Sequence, residues 1–292
     1  MVKQLDTRTR LLTEKPLKLM FSLSIPGILG MVVVALYNLM DSIFVGQMVG
    51  SIEMGAVSIS YPFTLINGGI ATLIGVGSAS ILSRAIGKKD KATMDKIMGN
   101  LVMMVFVLSL IVTVVGIIFT RQLLQFSGAS GEMLNQAESY LRIIFAGSLF
   151  INFTQSSNMV MRGQGLLKKA MLIIASGSIL NIILDPIFIS YFNQHGMGIE
   201  GAAYATLISQ ILQFFISVWY FTKKSDDLKI RKIRFEKDII PEVCSVGVSA
   251  MLMQVMTLVQ QTVIFNVASR YGGDTSLILL GAALRVQNFA FV

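Results

Sequence analysis

Charge is what this sequence has least of. Of its 292 residues, 14% are Asp, Glu, Lys or Arg and 54% are apolar. A soluble domain carries roughly 25% charged residues, so the fraction present here is too small for a water-facing surface. The same shortage excludes an intrinsically disordered chain, which needs polarity and net charge to stay open. The single cysteine, Cys244, excludes an intrachain disulfide framework. With only His195 beside it, a Cys/His zinc site is short of ligands. There is no Walker-type phosphate loop, no His-Glu-x-x-His pair and no Ser/His/Asp set. An enzyme, and an ATP-driven pump in particular, is therefore not expected.

What the sequence does have is long apolar runs. A membrane-spanning helix needs about 20 mostly apolar residues. Eight segments qualify, at about 17–45, 54–83, 97–120, 134–161, 170–192, 201–222, 241–269 and from 276 to the last residue, Val292. Lipid offers the backbone no hydrogen-bond partner, so only helices and closed barrels cross it. Barrel strands are short and alternate in polarity, whereas these runs are continuous. The expected class is an all-α polytopic membrane protein.

The net charge of +8 follows the same topology. Five basic residues precede the first segment, five follow the second, three follow the fourth and seven follow the sixth, which is 20 of the 24 in the chain. The opposite loops hold only Arg121 and Arg270. The positive-inside rule then puts the N-terminus in the cytoplasm. The expected location is the plasma (inner) membrane, and the basic excess serves orientation rather than nucleic-acid binding. Trp219 and Tyr220, just before Lys223, suit an aromatic belt at the inner interface. No cleavable signal peptide is visible in the polar N-terminal stretch. The expected organisation is a tail (1–16), a six-helix lobe (17–222), a charged linker (223–240) and the first two helices of a second lobe (241–292). A weak match of Val246–Met253 to Leu23–Gly30 is what duplicated halves would give.

Two carboxylates lie in the membrane beyond the first turns of their apolar segments, Asp41 in the first and Asp185 in the fifth. Intramembrane acids are costly and are functional candidates by default. At 1.5 Å per residue they lie roughly 7 and 10 Å below the outer interface, at similar depth. Asn38 stands three residues before Asp41, and Asn181 four before Asp185, so each acid shares a helix face with an amide. Pro186 and Pro26 each cost their helix a hydrogen bond and free a carbonyl. Carboxylates, amides and free carbonyls suit a proton or a small hard cation such as sodium. The alternative is that each acid only hydrogen-bonds a neighbouring helix. Arg142 is expected to pair with Glu138 one turn before it, and His195 to lie in a short outer loop. Met251, Met253 and Met256 could line an adaptable pocket, or simply face lipid or core. Gly68, Gly69, Gly75 and Gly77 with Ser78 and Ser80 suggest close helix packing. Arg285, deep in the eighth segment, has no assignable partner.

Five stretches, taken in order, resemble the multidrug and toxic compound extrusion (MATE) transporters. They are Asp41-Ser-Ile-Phe-Val-Gly46, Arg84-Ala-Ile-Gly87-Lys-Lys-Asp90, Arg162-Gly-Gln-Gly165-Leu-Leu-Lys168, Asn181-Ile-Ile-Leu-Asp185-Pro186, and Gly198-Ile-Glu-Gly201 continuing through Thr206 to Gln210. The resemblance implies a twelve-helix fold of two pseudo-symmetric lobes. It also implies export of organic cations and drugs in exchange for protons or sodium, with no cofactor. By position, Asp41 and Asp185 match the N-lobe acids of the DinF-like branch, and Asn181, Thr206 and Asn158 match polar groups of that site. Another branch keeps an acid inside its seventh helix, and this sequence has none between Glu242 and Asp274. A chain that stops at Val292 inside its eighth segment is expected to be the N-terminal part of such a protein.

The resulting expectation is a cation-coupled antiporter working by alternating access, with membrane lipids and small organic cations as partners. Asp41, Asp185 and Asn181 would couple the ion, and Asn38, Asn158 and Thr206 would line the cavity. A lipid-linked oligosaccharide flippase of related fold and a non-transporting membrane receptor or scaffold are the alternatives.

Overall fold

The computed structural model describes residues 15–225, 228–230 and 233–290. The expected tail (1–16) falls almost wholly outside the described residues, as do Val292 and, within the linker, Arg231 and Lys232. The elements are α1 (Pro16–Met48), α2 (Ser51–Lys88), α3 (Lys91–Phe126), α4 (Gly131–Ala146), α5 (Ser148–Gly163), α6 (Leu167–Asn193), α7 (Gly198–Trp219), a π-helical turn (Tyr220–Lys224) and α8 (Ile240–Ala290). There is no strand among the described residues. Six of the helical runs are long and apolar enough to cross a membrane.

Local chemistry sets the boundaries. Pro16 opens α1 at a position where its missing N–H costs nothing. Lys89, left-handed at φ 57°, ends α2, and Asp90 at once caps α3. The Asp90 carboxylate accepts from the Thr93 amide at 3.1 Å and its hydroxyl at 2.6 Å. Those bonds hold the exposed carboxyl below its ordinary value.

Three of the expected segments depart from a simple span. The fourth is broken at Gly147 into α4 and α5. The Phe145 carbonyl released there accepts a 2.8 Å bond from the Thr113 hydroxyl of α3, so the break leaves that group satisfied inside the protein. The seventh and eighth form one helical run, α8, interrupted at Gly273 (φ 60°, ψ −157°), a conformation open in practice only to glycine. Contacts along α2 give the direction of each limb. Gly77 meets Val243, Leu73 meets Gly247 and Gly69 meets Met251, whereas Gly55 meets Ile278 and Ser58 meets Gly281. Numbers on α2 first fall and then rise as α8 advances. The chain therefore reverses at Gly273, and two antiparallel limbs (240–272 and 274–290) pack on α2.

α2 runs through the centre and touches α1, α3, α4, α5 and α8. The Gly-rich run acts as its spacing suggests: a Cβ at Gly77 would run into the Val243 carbonyl oxygen, and one at Gly75 would lie 3.0 Å from the Ser156 Cα. Gly68 differs, because a Cβ added there would meet nothing within 4 Å and would point into open space beside the central cavity. One apolar core holds Val45, Leu124, Met133, Phe145 and Ile199, and a second holds Leu82, Ile97, Val160, Phe221 and Val243. Around them an apolar face stays exposed, as on α3 at Phe106, Leu110, Val114 and Ile118. That spacing of four marks one stripe of a helix turned to lipid.

The basic loops meet at one end. Arg84 pairs with Glu242 at 2.6 Å, Lys96 with Glu236 at 3.8 Å, and Lys169 lies over the Tyr220 ring. Lys224 covers Trp219. The linker docks here, with Leu228 buried and the Glu236 amide donating to Asn100 Oδ1 at 3.1 Å. At the other end Asn193 donates to the Met48 carbonyl, and Asn266 and Ser269 donate to the Phe126 and Gly128 carbonyls.

Candidate ion and substrate site

A cavity of about 560 Å³ opens between α1, α2, α5, α7 and the second limb of α8. Four of the six sequence-predicted site residues line it: Asn38, Asp41, Asn158 and Thr206. Asn181 lines an adjoining crevice of about 10 Å³, water-sized, which shares Tyr37, Thr206 and Gln213 with the main space. Asp185 lines neither and is fully buried one turn further along α6. The two acids are thus unlike: Asp41 faces the cavity, and Asp185 lies behind its wall.

Helix spacing assembles the site. On α7, Thr206, Gln210 and Gln213 follow at i, i+4 and i+7 and share one face of the cavity. On α6, Asn181 and Asp185 follow at i, i+4. Asn181 Nδ2 donates to Thr206 Oγ1 at 3.3 Å, which joins the two helices. Gln213 Nε2 donates to the Ile174 carbonyl at 2.9 Å. It reaches that bond because Gly177 has no side chain; a Cβ there would collide with the Gln213 amide. Asn158 spends its amide on the Ala170 carbonyl at 2.7 Å, so it ties α5 to the start of α6. Asn38 returns its amide to Val34 of its own helix at 3.0 Å.

Several buried oxygens remain without a protein partner. They include Asp41 Oδ1, Asn181 Oδ1 and both carboxylate oxygens of Asp185. Buried polar atoms are otherwise nearly always hydrogen-bonded. A cluster of unpartnered oxygens suits a proton or a hard cation.

Arg285 is the residue that sequence reasoning left unassigned. From the second limb of α8 its Nη1 donates to the Asn38 carbonyl at 3.0 Å and stands 3.6 Å from Asp41 Oδ2. Its charge inside an apolar run was visible, but its partner lies 247 residues away. Tyr37, Tyr61 and Gln155 also line the cavity and were missed. The signal for Tyr37 was its place one turn before Asp41. The methionines that line the cavity are Met31, Met159 and Met171, whereas Met253 and Met256 face outward. The pocket considered for the latter two is therefore not formed, because their limb turns that face away from α2. Arg142 pairs with Glu138 as expected (2.7 Å), and His195 lies in the turn after α6.

Comparison with known proteins gives concordant matches. The MatE family profile matches residues 26–187. The multidrug export protein MepA of Staphylococcus aureus (strain MRSA252) is 27% identical over 274 residues, which is 93% of this chain. The chain spans 60% of that relative's length. A solved structure of the MATE multidrug transporter DinF-BH, in complex with a ligand, superposes with a TM-score of 0.87 at 32% identity. That match covers 95% of this chain and 62% of the other. A MOP superfamily transporter from Pyrococcus furiosus, described as having a binding pocket of reverse polarity, superposes with a TM-score of 0.84 at 30% identity. It covers 99% of this chain and 63% of the other.

Proposed function

Because the chain belongs to the MatE family, we propose that it is the N-terminal lobe, with the first helices of the second lobe, of a cation-coupled antiporter that exports organic cations. The observation that carries this reading is the set of buried, unpartnered oxygens on Asp41, Asn181 and Asp185 beside the cavity. The cavity also suits amphipathic cations. Tyr37 and Tyr61 give the lining aromatic rings of the kind that attract cations, Met31, Met159 and Met171 adapt in shape, and Asp41 supplies the counter-charge.

In this mechanism Asp185 and Asn181 hold the coupling proton or sodium behind the wall, and Asp41 meets the cargo inside the cavity. Thr206, bonded to Asn181 and open to the cavity, links the two. The positive-inside pattern favours a cytoplasmic N-terminus, and an inward ion gradient across that membrane would drive cargo out of the cell.

The test is efflux of a fluorescent organic cation from proteoliposomes under an imposed proton or sodium gradient. Flux is expected to respond to one of the two gradients and to fall in Asp185→Asn to the level of protein-free liposomes. Undiminished flux in that variant would make Asp185 a structural residue and overturn the reading. One observation favours a second reading, a flippase for a lipid-linked phosphorylated cargo: Arg162 and Arg285 both line the cavity. Against it, Arg285 is already engaged by Asp41. Movement of a phosphorylated lipid, with no cation efflux in either gradient, would select it.

A further inference from the structure

We propose that Arg285 is a built-in counter-cation for Asp41. Its contact clamps the second limb of α8 onto α1, and the clamp opens when another cation takes Asp41.

The geometry is that of a contact made to be exchanged. The hydrogen bond of Arg285 goes to a main-chain carbonyl, that of Asn38, at 3.0 Å. Its separation from Asp41 Oδ2, 3.6 Å, is beyond an ordinary N–H···O bond. Asp41 is therefore a counter-charge to the guanidinium without being locked in the bidentate fork that strong Arg–carboxylate pairs adopt. Its second oxygen, Oδ1, has no partner. Contrast Glu138, whose two oxygens are each held at 2.7 Å by a different arginine.

The surroundings make the contact matter. Both side chains are largely shielded, with 15% of Arg285 and 7% of Asp41 exposed. Leaving either charge without its partner is costly in such a place. Among the described residues, Arg285 is the only cation for which a contact to Asp41 is found. Asp41 and Arg285 both line the main cavity, so an entering cation reaches the same carboxylate the arginine uses. The pair also joins two distant parts of the chain, α1 and the limb that follows the glycine reversal at Gly273. Gly281, one turn before Arg285, lies tight against Ser58; a Cβ there would collide with that side chain. The limb is therefore held by packing at Gly281 and by charge at Arg285, and only the second hold responds to what fills the cavity. The clamp stands on geometry alone, whereas its opening by an organic cation rests on the function proposed above.

The experiment has two arms on the purified protein in nanodiscs. In the first, without cargo, hydrogen–deuterium exchange of 274–290 is compared among wild type, Arg285→Gln, Asp41→Asn and the double variant. Each single variant is expected to speed exchange in this limb, and the double variant to add nothing further. Unchanged exchange, or additive effects of the two substitutions, overturns the clamp. Arg285→Lys keeps the charge and is expected to exchange more slowly than Arg285→Gln, so a folding defect in the glutamine variant does not decide the matter.

In the second arm, a rhodamine dye that carries a fixed positive charge is titrated by fluorescence polarisation. Removal of the competitor in Arg285→Gln is expected to tighten binding by about five-fold or more, the lower end of energetic coupling between sites. Asp41→Asn is expected to weaken it. Unchanged or weaker binding in Arg285→Gln overturns the exchange at Asp41. Binding that ignores Asp41→Asn overturns the cargo role proposed for Asp41, while the first arm still decides the clamp.

Discussion

Glu138 and Asp185 are both acids that sequence alone places in or beside apolar helices, and the structure treats them in opposite ways. Glu138 is served on both oxygens, by Arg121 and Arg142 at 2.7 Å each, near one end of the bundle. Asp185 is fully buried and served on neither. A satisfied acid stabilises the fold where it stands. An unsatisfied one costs stability and persists only where something other than the fold requires it. The difference separates structural from functional charge better than depth in the membrane does.

That contrast is broken most sharply by removing each charge in turn. Asp185→Asn is expected to abolish gradient-driven efflux without lowering the melting midpoint, because neither carboxylate oxygen holds a protein partner that the substitution would strand; efflux and thermal melting of the same preparation check both. A lesion of packing alone comes next. A Cβ at Gly247 would run into the Leu73 carbonyl oxygen, against backbone that cannot move aside. Gly247→Val is expected to cost about 1–3 kcal/mol by forcing α2 and α8 apart, read as a lowered melting midpoint.

Glu138→Gln should be milder, because Arg121 and Arg142 are both about half exposed. A loss of about 1 kcal/mol after solvent screening is expected, with efflux retained. If it abolished efflux without changing the melt, the contrast with Asp185 would fail. The smallest effect belongs to Asp90. Its carboxyl is held below its ordinary value by Thr93, so its contribution is present above the ordinary carboxylate range and fades as pH drops through the lowered value. Asp90→Ala is expected to lower the melting midpoint slightly at neutral pH, with the gap to wild type closing in acid.

Much of the fold was legible because its signals are local. Apolar runs, proline and glycine positions and the sidedness of lysine and arginine all act within a few residues. They anticipated the helical runs and the gap between the last two, where the chain reverses at Gly273. The break at Gly147 escaped because it depends on Thr113, on another helix, meeting the freed Phe145 carbonyl. The site was legible in part for the same reason. Spacing put Asn38 with Asp41 and Asn181 with Asp185, and family resemblance added Asn158 and Thr206. Spacing did not show that Asn158 spends its amide on Ala170, or that Asp185 lies behind the cavity wall.

A reader holding only the residues could already see a bundle of membrane helices with basic loops and two acids inside. Lipid enforces helix and disfavours charge whatever the tertiary arrangement. Which polar groups are satisfied was settled later, by packing. Arg285 meets Asp41 across almost the whole chain, and Thr206 of α7 meets Asn181 of α6. Hydrogen bonds and ion pairs act over a few ångströms in space and carry no trace of separation along the sequence, so partners this distant appear only once the helices have packed.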